Sequence, residues 1–186
     1  MTKGDEMGFI STPVKQTMQL TKVISTDSAS SFFSQFIRII DLAKKEKKEK
    51  VVTIQICCGG GSVSVALGFA DLICWAAKDV IVQTVGIGHV GSAAIPVLMA
   101  GIKRYITPHC EIYVHNTRFV SQVKMNLLER KNAKQRFKKS TASYDDFVVE
   151  CSKGKLSVEA FKKLCNSASC IFGQDAINYG FADEIL

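Results

Sequence analysis

Two stretches of the chain share one pattern, and it limits the fold more than anything else in the sequence. Val51–Ile56 (VVTIQI) is a continuous β-branched and apolar run, followed by CCGGGS and then by the apolar segment VALGFADLICWAA. Val80–Gly86 (VIVQTVG) is a second such run, followed by a glycine-bearing turn ending at Ser92 and by SAAIPVLMAG. A strand that is apolar on both faces needs cover on both faces. A strand that feeds a helix and then another strand returns parallel, by a right-handed crossover. The expected fold class is therefore α/β, a largely parallel sheet with helices packed on it.

The remaining segments fit that frame. QLTKVIS (Gln19–Ser25) reads as a short strand, and the following segment as a helix. Ser25, Thr26 and Asp27 offer N-caps, and Phe32, Phe33, Phe36, Ile37 and Ile40 recur at helical spacing. RYITP and EIYVHN read as two more short strands. A long polar helical region is expected over roughly Val123 to Leu164, and GQDAINYGFADEIL as a short helix leading to an edge strand. Residues Met1 to about Ser11 show no periodicity. At 186 residues the chain suits a single domain with a substantial core.

Composition narrows the function classes. No segment has the length and apolarity of a membrane span, and Pro96 and Gly101 interrupt the most apolar run. No N-terminal signal pattern is present, and the seven cysteines form no zinc-like spacing. A soluble protein of a reducing, cytoplasmic compartment is expected, with no metal and no cofactor. Cys57 and Cys58 are adjacent and on a strand would face opposite sides. The net charge of +7 is concentrated in AKKEKKEK and KMNLLERKNAKQRFKK, which read as solvated helical faces. Neither carries the aromatic signature of an RNA-binding surface, so neither nucleic acid nor membrane is expected as a partner.

The two glycine turns lie where α/β proteins bind ligands, at the carboxyl ends of strands. CCGGGS lacks the Gly-Lys-Ser/Thr ending of a phosphate loop, and GIGHVGS only approximates a dinucleotide fingerprint. Backbone N–H groups at such turns also suit an oxyanion hole. Ser92, at the start of a helix after a glycine, is either a buried or capping serine or a nucleophile held at a tight turn.

The order and spacing of IQICCGGGSV, DLI, DVIVQTVG, GSAAIPVLMAG, KRYITPHCEIYVHN and QDAINYGFADEIL resemble the proteolytic subunit of the Clp protease, ClpP, over roughly Gln19 to Leu186. The resemblance implies a ClpP/crotonase-like fold of repeated β-β-α-type units, with a protruding helical handle around residues 123–164. It also implies a serine endopeptidase with Ser92 as nucleophile and His115 as general base. Gly61 and Ala93 would supply the two oxyanion-hole N–H groups. A protein or peptide substrate is implied, together with a heptameric or double-heptameric homo-oligomer. The partner would be an ATP-dependent unfoldase or a related ClpP subunit.

The sequence departs from the family pattern in identifiable places. The position of the family's orienting aspartate, eleven residues before Tyr179, reads Ala168, and no carboxylate lies between Leu164 and Gln174. Asn166, Ser167 or Ser169 are the polar side chains nearest that position. The family's Ser-Pro-Gly-Gly turn reads Cys58-Gly59-Gly60-Gly61, and the segment before Ser92 is two residues longer. A catalytically impaired homologue acting as scaffold or modulatory subunit is the alternative, and a crotonase-type acyl-CoA enzyme a third reading. Of the other histidines, His89 is expected in a glycine loop and His109 in a turn, both solvated.

Overall fold

The structure is a computed structural model that describes Phe9 and residues 16–47, 50–119 and 124–186. The expectation for Met1 to Ser11, apart from Phe9, lies outside these residues, as does Val123 at the start of the expected polar helix. Among the described residues no helix is long and apolar enough to cross a membrane.

In chain order the elements are β1 (Thr17–Leu20), α1 (Thr26–Lys44), β2 (Val51–Cys58), α2 (Val63–Ala76), β3 (Ile81–Gly91), α3 (Ala94–Met99), β4 (Lys103–Ile106), β5 (Glu111–Val114), α4 (Leu127–Cys151), α5 (Val158–Asn166), β6 (Ser169–Phe172), α6 (Gly173–Asn178) and β7 (Glu184–Ile185). The sheet order is β1-β2-β3-β4-β7, all parallel. The first half of β3 pairs with β4. Its second half pairs with β5, which pairs antiparallel with β6. Three consecutive β-α-β crossovers thus build the sheet expected from the sequence. β6 was not foreseen.

Local chemistry sets the helix ends. Ser25 caps α1, its Oγ accepting from Ser28 N at 3.2 Å while Ser28 Oγ accepts from Ser25 N at 2.9 Å, which satisfies two orphan donors reciprocally. Asn126 and Glu129 do the same at the start of α4. The buried stripe of α1 (Phe32, Phe36, Ile39, Ile40, Ala43) packs on α2, with the rings of Phe32 and Phe69 stacked 3.8 Å apart. The expected polar helical region is two helices rather than one. The first four turns of α4 are exposed or only half buried, whereas Tyr144 and Val148 are buried against the rest of the chain. Only the N-terminal part of that helix therefore stands clear as a handle.

A buried ion pair ties the second half of the chain to the sheet. Arg104 on β4 is almost wholly buried, and its Nε and backbone N both donate to Asp183 Oδ2 at 3.0 Å. Its Nη1 donates to Cys151 O at 2.6 Å and Gly180 O at 3.0 Å, so one guanidinium joins β4, the end of α4 and the C-terminal segment. Burial works to raise the Asp183 pKa, but Arg104 and Lys153 overcome it and hold the carboxyl at about 2. The folded-state value lies below that of an unfolded aspartate, roughly 3.9. The stabilisation is therefore complete above about pH 4 and lost as pH falls through about 2. It amounts to on the order of 2 kcal/mol, with exposed Lys153 adding little.

Arg104→Ala removes the guanidinium from the half-buried Asp183 carboxylate, which keeps only Lys153 and the residue-104 backbone N–H, and takes the side-chain donor from the Cys151 and Gly180 carbonyls. It is expected to lower unfolding free energy by about 2–4 kcal/mol in urea denaturation. Arg104→Lys should recover only part of that, since one ammonium cannot replace the planar fork. A loss under about 1 kcal/mol for Arg104→Ala would contradict the assignment.

Candidate active site

Two turns meet at the carboxyl end of the sheet. The first, after β2, is Gly59-Gly60-Gly61. Cys58, buried beneath it, donates from Sγ to Lys22 O at 3.1 Å. Ile24 clamps the turn from the other side: its N donates to Gly60 O at 2.9 Å and its O accepts from Ser62 N at 2.8 Å. Gly60 and Gly61 have φ of 101° and 143°, values that side chains disfavour. A Cβ on Gly60 would lie 2.7–2.8 Å from Gly91 O, Ala93 N and Ser92 Cβ. One on Gly61 would collide with the Ile24 carbonyl.

The second turn is Ser92-Ala93. Ser92 has φ 52°, in the left-handed region that a non-glycine residue enters at a cost of roughly 1–2 kcal/mol. Three hydrogen bonds hold it there. Its N donates to Tyr113 O at 2.8 Å, and its O accepts from Ile95 N at 3.0 Å and from the Tyr144 hydroxyl at 3.2 Å. Tyr144 is buried and its hydroxyl pKa is driven up by desolvation, so it stays a proton donor. The sequence reading missed this residue. Its signal is the Tyr144–Val148 spacing, an i, i+4 apolar pair in an otherwise polar helix.

These bonds use the N–H of Ser92 and Ser62 and leave those of Gly61 and Ala93. Among the described residues neither the Gly61 nor the Ala93 N–H has a hydrogen-bond partner. Both border the half-buried Ser92, across the contact that Gly60 makes with that turn.

His115 follows β5 directly. Its Nδ1 lies 2.8 Å from Asn116 O, and because a carbonyl only accepts, Nδ1 carries the proton and Nε2 keeps the lone pair of the neutral ring. The ring stacks on Tyr113, centroids 5.2 Å apart. No hydrogen bond joins His115 to Ser92 among the described residues. The antiparallel register Val114↔Ser169, continued by one residue, sets Ala168 across from His115. Ala168 has φ 47°. Of the polar neighbours expected to replace a carboxylate there, Asn166 Oδ1 accepts from Asn116 Nδ2 at 2.9 Å, and Ser169 Oγ donates to Leu164 O at 3.1 Å. Neither bonds to His115; a backbone carbonyl does.

One expectation is corrected. His89 does not lie in a glycine loop, because β3 runs unbroken to Gly91, although its side chain is partly exposed. The two extra residues before Ser92 are absorbed as a bulge: Ile56 pairs with Gly86 but Cys58 with Val90. His89 is thereby set opposite Glu111 on β5. His109 does lie in a turn, and the seven cysteines are free. Among the described residues no group of three His, Cys, Asp or Glu side chains comes together to hold a metal ion.

The chain belongs to the Clp protease family, whose profile matches residues 10–186. It is 28% identical over 152 residues to the ATP-dependent Clp protease proteolytic subunit 2 of Thermobifida fusca, an alignment covering 78% of this chain and 70% of that protein. In fold it is similar to a ClpP1 mutant from Listeria monocytogenes, with a TM-score of 0.76 at 20% identity over 92% of this chain and 91% of that one.

Gly60→Ala forces the two turns apart, against backbone atoms that cannot yield, and should cost more than about 2 kcal/mol. Tyr144→Phe removes one hydrogen bond to the Ser92 carbonyl and should cost about 1 kcal/mol. Thermal denaturation of both variants checks the order. A Gly60→Ala protein as stable as the unsubstituted one would contradict the contact between the turns.

Proposed function

We propose that the chain is a serine endopeptidase of the ClpP type, with Ser92 as nucleophile, His115 as general base and the N–H groups of Gly61 and Ala93 as oxyanion hole. The observation that carries this reading is the pair of unpartnered N–H groups flanking a serine held in a left-handed conformation. A helix start and a glycine turn supply donors fixed before the reaction, which is what stabilises charge developing on a carbonyl oxygen. Ser92 Oγ attacks the peptide carbonyl carbon as its proton passes to Nε2 of His115, and the oxygen gains its charge between Gly61 and Ala93. The tetrahedral species collapses, His115 returns the proton to the leaving amine, and water repeats the sequence to release the acid and free Ser92.

A second reading is favoured by one observation. Across from His115 stands Ala168, and the ring is oriented by a neutral carbonyl at 2.8 Å instead of a carboxylate. A carbonyl fixes the tautomer but stabilises the imidazolium less than a full negative charge does. A slow enzyme, or a scaffold subunit in a mixed ring, follows if that difference is decisive. Assembly is supported by Leu127 and Leu128, 87% and 68% exposed at the tip of α4 among the described residues. A homo-oligomeric ring closed through this helix, serving an unfoldase partner and a peptide substrate, is the arrangement proposed.

A fluorophosphonate probe should label the protein but not Ser92→Ala, and Ala168→Asp should raise peptide hydrolysis by about tenfold or more. Aspartate tolerates the left-handed backbone of residue 168 better than alanine does. No labelling contradicts the peptidase reading. A folded, labelled Ala168→Asp protein without gain shows that the acid is not missing there. For assembly, Leu127→Glu with Leu128→Glu should convert the particle to smaller species in sedimentation at unchanged helix content. An unchanged sedimentation coefficient would exclude α4 as the joining element.

A further inference from the structure

The imidazole of His89 lies on the exposed face of the sheet, and the reaction at Ser92 makes no use of it. Its Nδ1 is 3.3 Å from Glu111 Oε2, with the side chains 40% and 29% exposed. The Cys170 thiol, and after it His89, hold the Glu111 carboxyl below its usual range against the opposing effect of burial. An ionised carboxylate only accepts, so Nδ1 donates to it; in the neutral ring Nε2 then holds the lone pair, and among the described residues it has no protein partner.

Where Nε2 sits decides what it can touch. A Cβ on Gly91 would fall 2.7 Å from it and one on Gly59 3.8 Å, so the ring lies across two residues without side chains. Gly91 precedes Ser92 and Gly59 precedes Gly60-Gly61, which places the free nitrogen at the root of both turns. Tyr113 follows on the same face, centroids 6.3 Å from His89, and His115 follows Tyr113. A peptide with a carbonyl between Gly61 and Ala93 and its proton acceptor at His115 must cross this face.

We propose that His89, backed by Glu111, is a specificity-determining residue that selects a hydrogen-bond-donating cationic side chain, lysine or arginine, close to the scissile bond. The inference rests on the reading of Ser92 as nucleophile. The ring offers an acceptor at Nε2, and the carboxylate behind it favours a cation over a neutral donor. The backing also fixes the ring, so little rotamer freedom is lost on contact.

The test uses peptides identical except for lysine or methionine, similar in length, at each position flanking the cleaved bond. The full chain should favour lysine at one position by about tenfold in kcat/KM, the size of one charge-assisted hydrogen bond. His89→Leu and Glu111→Gln should each bring that ratio to about one. Equal rates for the full chain, or a preference that survives both substitutions, overturn the proposal. Binding of the same peptides, read by fluorescence anisotropy, separates it from the peptidase reading. Lysine-selective binding that needs His89 but is followed by no hydrolysis overturns only the latter. Equal binding of both peptides overturns the former.

Discussion

The site depends on one steric fact, the contact of Gly60 with Gly91, Ser92 and Ala93. It presses two loops of separate β-α units together with no side chain between them, and so brings the Gly61 and Ala93 N–H groups to the same serine. Each turn is held from outside, the first by Ile24 and Cys58, the second by Tyr113 and Tyr144. The strain of a left-handed Ser92 is offset by hydrogen bonds from three different elements. Scaffold and candidate site are therefore one structure, in which the packing of α4 through Tyr144 bears on Ser92.

Arg104 plays the corresponding part for the rest of the chain. By binding Cys151 O, Gly180 O and Asp183 at once, it fixes the end of α4 and the C-terminal segment on β4. The α4 carbonyl it binds lies two turns from Tyr144. The guanidinium and the phenol thus anchor the same helix at two points, one on the sheet and one at the site. The free end of that helix carries the exposed leucines.

Much of this was legible in the sequence because it is encoded locally. The β-branched runs at Val51–Ile56 and Val80–Gly86, the Ser25 cap and the phenylalanine spacing of α1 each specify one element without reference to the others. Ser92, Gly61, Ala93 and Ala168 could be singled out because order and spacing along the chain resemble a family. What was not legible depends on pairing between distant segments. His89 sits among glycines and reads as loop; the carboxylate that orients it is 22 residues away and reaches it only through the β3–β5 register. β6 has four residues, too few to show a period. The carbonyl on His115 Nδ1 belongs to the next residue, and backbone acceptors leave no trace in a sequence.

The central claim is that the Gly61 and Ala93 N–H groups are free because an oxyanion belongs between them. The structure of the protein after reaction with a fluorophosphonate tests it most directly. The account predicts phosphorus bonded to Ser92 Oγ with the phosphoryl oxygen within about 2.7–3.1 Å of both nitrogens. Phosphorus on another side chain, or a phosphoryl oxygen turned to solvent with both N–H groups still unpartnered, would contradict it.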